Sequence, residues 1–345
     1  MPQTFPGAQW ETKNPADLGF SEEKLASAES WLLELAKGEP FRVVVARHGY
    51  IAAEWNHAID ASEKLRQASA SKSFYSCLLG IAEAEGKISS LDAKAIDHYP
   101  ELMDVEEGAG PKDGRYAFDK DRDITFRQLI GNTSGYMKPG EEPGKKFHYQ
   151  TFGMNIITNS LATAYGVYDS ANPDRLPGCG ILVEEKLRDP IGGTWSYGYG
   201  NFEHASGAKQ NIFGHSLSIQ CTALDAARVG HLWLNKGNWN GIQVVPEEYM
   251  KQATTTNPDI LANEPERRWR YGLGFWVNEH GRQWPDLPRD SFAAWGAGAK
   301  HIWVSPSTDL VVVLNPGPWT QVHQERARLK LEQVTISKIV DAVVG

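Results

Sequence analysis

Cysteine is scarce in this 345-residue chain: Cys77, Cys179 and Cys221 are odd in number, widely spaced, and include no C-x-x-C pair. That excludes a disulfide framework and predicts free thiols in a reducing compartment. No uninterrupted apolar run reaches membrane length, and the start MPQTFPGAQWETKNPADLGF lacks a basic segment followed by an apolar one. Neither a spanning helix nor a leader is expected, and the cytoplasm is the expected location. Positive charge is in deficit, 35 Lys and Arg against 43 Asp and Glu, with a formal charge of −8 and no basic run. Nucleic acid and other polyanions are thereby excluded as partners. The ten histidines show no H-E-x-x-H and no paired Cys/His spacing, so no metal and no other cofactor is expected. Internal repeats and low-complexity tracts are absent as well.

What is present is an ordinary globular composition, 41% hydrophobic and 23% charged, on a chain long enough for one large or two closely packed domains. Ser21-Glu22-Glu23-Lys24 reads as a helix N-cap with acidic residues in the first turn. FRVVVARHGYIAAEWN (41–56) reads as a hairpin turning at His48-Gly49. YGLGFWVN (271–278), SFAAWGAG (291–298) and KHIWVSPSTDLVVVLN (300–315) read as three more strands, the last turning at Pro306-Ser307-Thr308-Asp309. Residues 321–344 are helical in pattern, so a helix from each terminus is expected to cover an antiparallel sheet built from both chain ends. Segments between 69 and 214, such as ITFRQLIGN and MNIITNSLATAYG, read instead as helices separated by Gly/Pro-rich turns. The expected fold is therefore α/β plus all-α: a sheet domain from 1–68 and 215–345, and a mainly helical domain from 69–214.

The pattern S-x-x-K occurs three times, at Ser21–Lys24, Ser69–Lys72 and Ser206–Lys209. The first is the cap just described and the last lies in a polar, Gly-containing loop. Only Ser69 precedes a helical run, with Phe74, Cys77, Leu78 and Ile81 on one face and Gly86 as its stop. Positions i and i+3 share a helix face, so the Lys72 amine is within reach of the Ser69 hydroxyl. A serine is a poor nucleophile until a neighbour takes its proton, and a lysine does so only when burial or a second cation lowers its pKa. The apolar helix behind Lys72 supplies that burial. The helix N-terminus points a positive dipole end and a free N–H at the site, which suits an oxyanion. For such a motif taken alone, a capping serine followed by a surface lysine is the commoner outcome.

Further segments bear on that choice. S-x-S-K-S-F at 69–74, N-T-S-G at 132–135, P-G-x-x-F-x-Y at 143–149, V-x-P-x-x-D-L at 304–310 and the stretch 222–241 follow one another in an order that resembles the serine β-lactamase-like, penicillin-binding-protein-like family. The resemblance is to class C β-lactamases, DD-peptidases and their esterase and amide-hydrolase relatives, 6-aminohexanoate-dimer hydrolases among them, and spans nearly the whole chain. It implies the β-lactamase/transpeptidase fold with an active site between the two domains. It also implies Ser69 as acylated nucleophile, Lys72 as its base partner and Tyr149 as the proton shuttle to the leaving group. A lysine ammonium beside Tyr149 is expected to stabilise the ionised phenol.

The departures are informative. Thr151 stands where the family has the asparagine of Y-x-N, and its hydroxyl cannot present an amide donor. Ala294-Trp295-Gly296-Ala297-Gly298 replaces K-T-G or H-x-G, with the lysine position at Ala294 or Trp295. Either register removes a cation that meets a substrate carboxylate, and Trp295 offers an apolar wall instead. The backbone N–H of Ala297 or Gly298 remains to complete the oxyanion hole with that of Ser69. Substrate contacts are expected from Thr151, Trp295 and Gly296, from the loop 192–207, and from the surroundings of Tyr136 and Phe152. The implied activity is serine hydrolysis, through an acyl-enzyme, of a small-molecule carboxylic ester or uncharged amide. Alternatives are a β-lactamase or D-Ala-D-Ala carboxypeptidase, and a non-turnover acyl-binding sensor marked by loss of Ser69, Lys72 or Tyr149, all of which are present. GHSLS (214–218) nearly matches the nucleophile elbow G-x-S-x-G, with Ser216 as candidate, but lacks a buried strand before it. No oligomeric state is implied.

Overall fold

The computed structural model of the protein describes residues 3–200 and 211–344. The Ser206–Lys209 motif and residues 201–207 of the loop 192–207 lie outside them. Ser21 caps the first helix, α1 (Glu22–Ala36), its Oγ accepting the Lys24 N–H at 3.3 Å. Strands β1 (Phe41–Arg47) and β2 (Tyr50–His57) form the first hairpin. His48 and Gly49 take positive φ, 55° and 81°, the mirror-image turn whose twist matches paired strands. A short β3 (Leu65–Arg66) leads into α2 (Ser71–Ala84), and α3 (Phe126–Ile130), α4 (Phe152–Ala164) and α5 (Cys179–Val183) follow. Thr125 and Gln128 form a reciprocal capping box on α3. Next come β4 (Ser196–Gly200), β5 (Ser216–Cys221), α6 (Ala223–Leu234), the two-residue strands β6 (Asn238–Trp239) and β7 (Ile242–Gln243), α7 (Glu247–Ala253) and α8 (Pro258–Asn263). The chain ends with β8 (Trp276–Val277), β9 (Phe292–Gly296), β10 (Lys300–Ser305), β11 (Leu310–Leu314) and α9 (Glu325–Val340).

The main sheet is antiparallel, in the order β2-β1-β11-β10-β9-β8. It has six strands because Pro306–Thr308 form a turn closed by Asp309 at φ 50°, splitting 300–315 in two. The segment 271–278 contributes only two residues, since Gly274 at φ 82° folds the chain back before Trp276. β1 and β11 are buried along their whole length, which is why they read as continuous Val runs rather than alternating ones. One face packs Val43, Val45, Trp303 and Val312 against Leu25, Leu32, Ile336 and Ile339 of the terminal helices α1 and α9. The other packs Val44, Ile302, Val304, Val311 and Val313 with Phe74 and Leu78 of α2 and Val229 of α6. This is the β-lactamase/transpeptidase architecture.

A second sheet, β3-β5-β4, was not expected. It joins β4, from within the segment read as helical, to strands on either side of it. Gly198 at its centre and Gly200 at its end give β4 little strand character in sequence.

The layers meet most closely where β9 ends. A Cβ on Gly296 would collide with the Gln67 carbonyl oxygen and lie 3.0 Å from the Ala70 nitrogen, so only glycine lets the strand pass the turn that carries Ser69. Overpacking of this kind costs about 1–3 kcal/mol. Gly296→Ala is expected to lower the urea midpoint accordingly, with the slope unchanged. Gly7→Ala, where nothing lies within 4 Å of the added methyl, is expected to leave it in place. Equal midpoints for the two variants would show that the strand does not need this approach.

Candidate active site

Ser69 lies on the single 3-10 turn Ala68–Ala70 that feeds α2. Ala68 is held in the left-handed region at φ 49°, a conformation that costs an alanine about 1–3 kcal/mol and persists only where surrounding structure enforces it. The Gln67 N–H bonds the Ile219 carbonyl at 2.9 Å and the Ala70 N–H the Gln67 carbonyl at 3.0 Å. Ser69 itself is half-exposed, whereas every residue from Ser71 to Ala82 is buried. The Lys72 side chain, 3% exposed, donates from Nζ to Ser69 Oγ at 2.8 Å and reaches Thr151 Oγ1 at 3.5 Å. No carboxylate among the described residues pairs with it. Burial alone lowers its pKa from 10.5 to about 7, since a charged amine is disfavoured where water is excluded. At neutral pH a large fraction therefore carries a lone pair facing the hydroxyl.

Tyr149 is placed by the N-T-S-G turn. Asn132, at φ 57°, accepts the His148 N–H on its carbonyl and the Gln150 N–H on Oδ1, both at 2.9 Å. Glu264 Oε1 accepts the Phe147 N–H at 2.8 Å. The phenol ring stacks on Trp276 at 5.6 Å, and Lys72 Nζ lies 4.9 Å from its centroid. Burial pushes the Tyr149 pKa up to about 12, partly offset by a hydrogen bond with Ser69. This reverses the expected direction. The same burial that removes the proton from Lys72 removes the ammonium that was to stabilise a phenolate, so the phenol stays protonated.

On β9 the side chains divide between faces. Ala294, 1% exposed, pairs with Ile302 on the face where Gly296 meets the Ser69 turn. Trp295 is on the other face, edge-on to Trp276 at 5.3 Å and to His301 at 6.1 Å. The position two before the close-approach glycine is thus Ala294. Ala297 is exposed at the following turn, where Gly298 and Ala299 have φ 75° and 53°. Lys300, paired with Gly296, is half-buried beside this turn; burial lowers its pKa, and among the described residues it has no ion-pair partner. The strand pattern hid this cation, which sits on β10 rather than β9.

Beside Ser69 opens a cavity of about 270 Å³ whose lining includes Lys72, Thr151, Asn155, Ser216 and Ser218. Tyr136, expected near substrate, does not reach it: the side chain is fully buried and its hydroxyl donates to the Leu102 carbonyl at 2.5 Å. Phe152 begins α4 edge-on to Phe213 at 5.5 Å and is not part of the lining. Ser216 does line it, but it opens a strand rather than a strand-to-helix elbow. The three cysteines are buried free thiols. Among the described residues there is no cluster of potential metal ligands and no helix long and apolar enough to cross a membrane.

Residues 41–172, which hold Ser69, Lys72 and Tyr149, match the Beta-lactamase family model. No curated protein matches the chain by sequence. Among solved structures it is similar to a β-lactamase from Mycobacterium bovis, with TM-score 0.62, 18% identity, and coverage of 91% of this chain and 100% of that one. It is similar to simvastatin synthase from Aspergillus terreus, with TM-score 0.64, 12% identity, and coverage of 92% and 98%. A family VIII carboxylesterase gives TM-score 0.62 and 15% identity over 90% and 93%. At these identities the structural likeness is one of fold. The chain thus carries the Beta-lactamase family's sequence signature over residues 41–172 and shares its fold with these structures over nearly the whole length.

Proposed function

We propose that the protein is a serine hydrolase that works through an acyl-enzyme on Ser69, with a small carboxylic ester or uncharged amide as substrate. The observation that carries this reading is the buried Lys72 amine, titrating near pH 7, 2.8 Å from Ser69 Oγ. Neutral Lys72 takes the hydroxyl proton as Oγ attacks the carbonyl carbon. The oxyanion meets the Ser69 N–H and that of Ala297 or Gly298. Tyr149, kept protonated, gives its proton to the departing alkoxide or amine and is refilled from Lys72. Water then adds to the acyl carbon by the reverse relay, and the acid leaves. The neutral substrate class rests on Ala294 in the lysine position and on Thr151 in place of an amide in the cavity lining; Trp295, expected as an apolar wall, lies on the other face of β9 and is not part of that lining. A second reading, a β-lactamase or D-Ala-D-Ala carboxypeptidase, draws on the unpaired Lys300 beside the turn, a cation that could meet a substrate carboxylate.

A serine-directed phosphonate is expected to add at Ser69, and Ser69→Ala to lower turnover by roughly 10⁴-fold or more. Labelling at Ser216 would overturn the assignment. Lys72→Arg should not rescue Lys72→Ala, because a guanidinium keeps its proton at any accessible pH. The pH profile follows from the two shifts. Lys72 must lose its proton, so kcat/KM for an ester should climb through pH about 7, and with Tyr149 near 12 no descending limb should appear until strongly alkaline pH. A profile that climbs only near pH 10 would mean the amine is not desolvated.

Substrate choice is decided by comparing short neutral esters with a chromogenic cephalosporin and a D-Ala-D-Ala peptide. One charge-assisted contact is worth about 1.5–3 kcal/mol, or ~10- to 150-fold. Neutral esters are expected to have the higher kcat/KM, and Ala294→Lys to shift the ratio toward the cephalosporin. If the cephalosporin is already better than every ester, the Lys300 reading stands in place of the neutral one.

A further inference from the structure

The cavity beside Ser69 has an unusual far wall. Alternation along β5 turns Leu217, Ile219 and Cys221 into the core and leaves Ser216, Ser218 and Gln220 outward. Antiparallel partners share a face, and the partners on β4 are Gly200 for Ser216, Gly198 for Ser218 and Ser196 for Gln220. Nothing lies within 4 Å of a methyl added at Gly200, and only Gln220 Nε2 within 4 Å of one at Gly198. The two tyrosines of β4 turn the other way, Tyr197 against Gly180, where no Cβ would fit. Among the described residues, Ser216 and Ser218 therefore have no bulky partner on β4, while Gln220 pairs with Arg66 of β3 on the same face. No side-chain hydrogen bond among the described residues engages the Ser216 or Ser218 hydroxyl, although both residues line the cavity that holds Ser69. The lining also includes Tyr75, Met154 and Leu217, so a chain whose carbons meet these and whose own donors and acceptors meet the two hydroxyls gains from both.

We propose that Ser216 and Ser218 select a neutral, hydroxyl- or amide-bearing acyl chain, making them specificity-determining residues of the hydrolase. This rests on the reading of Ser69 as the acylated serine. The group in this cavity is the acyl chain rather than the leaving group, because the proton donor Tyr149 is not part of the lining and the leaving group must depart beside its donor.

The test uses p-nitrophenyl esters of butyrate and 3-hydroxybutyrate, which share a leaving group and differ by one hydroxyl. Wild-type enzyme is expected to favour 3-hydroxybutyrate in kcat/KM by about 2- to 10-fold for each hydrogen bond formed. The double variant Ser216→Ala, Ser218→Ala is expected to bring the ratio to about one. Esters of a common acid with ethanol and with ethylene glycol are expected to show no such preference. Wild-type preference for plain butyrate, a ratio unmoved by the double variant, or a hydroxyl preference confined to the leaving alcohol would each overturn the proposal. Intact-mass measurement separates this from the parent reading: absence of an acyl adduct on Ser69 with either ester removes the nucleophile assignment. Adducts forming at equal rates with both remove the acyl-chain selection alone.

Discussion

The arrangement depends on one amine being kept from water. Lys72 lies on a helix whose first three turns are buried on all sides, and no carboxylate among the described residues offsets the cost of ionising it. A single salt bridge at that point would hold the proton on the amine and leave the serine hydroxyl inert. The same exclusion of water raises Tyr149, so one environment sets two groups apart in the proper sense, a base that releases its proton easily and an acid that keeps it. The aromatic packing of Tyr149, Trp276, Tyr271 and Trp295 maintains that dry side, while the opposite side, facing β5, remains polar.

How much of this was legible in the sequence depended on whether a residue's environment is encoded locally. The burial of Lys72 could be read from the helical spacing of Phe74, Cys77, Leu78 and Ile81, because one helix carries both the lysine and its apolar neighbours. The hairpins announced themselves through His48-Gly49 and Pro306–Asp309. Tyr149 was legible only through family resemblance, since its partners Asn132, Glu264 and Trp276 lie far along the chain. Tyr136 was misplaced for the same reason: a tyrosine after an N-T-S-G turn reads alike whether its hydroxyl faces a cavity or, as here, the Leu102 carbonyl.

Other features were hidden by their composition. Glycines at alternate positions of β4 suppress strand propensity, so that strand left no signal, although its neighbour β5 alternates Ser216, Ser218 and Gln220 with Leu217, Ile219 and Cys221. The register of 294–296 became definite only through the contact of Gly296 with Gln67 and Ala70, a close approach between segments more than two hundred residues apart in sequence. Lys300 left no signal in the family pattern because it stands on β10, across the hairpin from the strand that carries that pattern.

That long-range approach also bears on how the chain is born. Ser69 and Lys72 emerge from the ribosome early, while β9, β10 and β11, which complete the sheet beside them, are made last. The core strand β1 pairs with β11 rather than with anything synthesised soon after it, apart from β2. Closing so long a loop carries an entropic cost that local contacts cannot offset. A growing chain thus holds its serine and lysine without the desolvating lid of the late strands, and its amine stays hydrated and protonated. On the proposed reading of Ser69 as nucleophile, the nascent protein is chemically silent by topology alone, and its serine becomes reactive only when the last strands have docked.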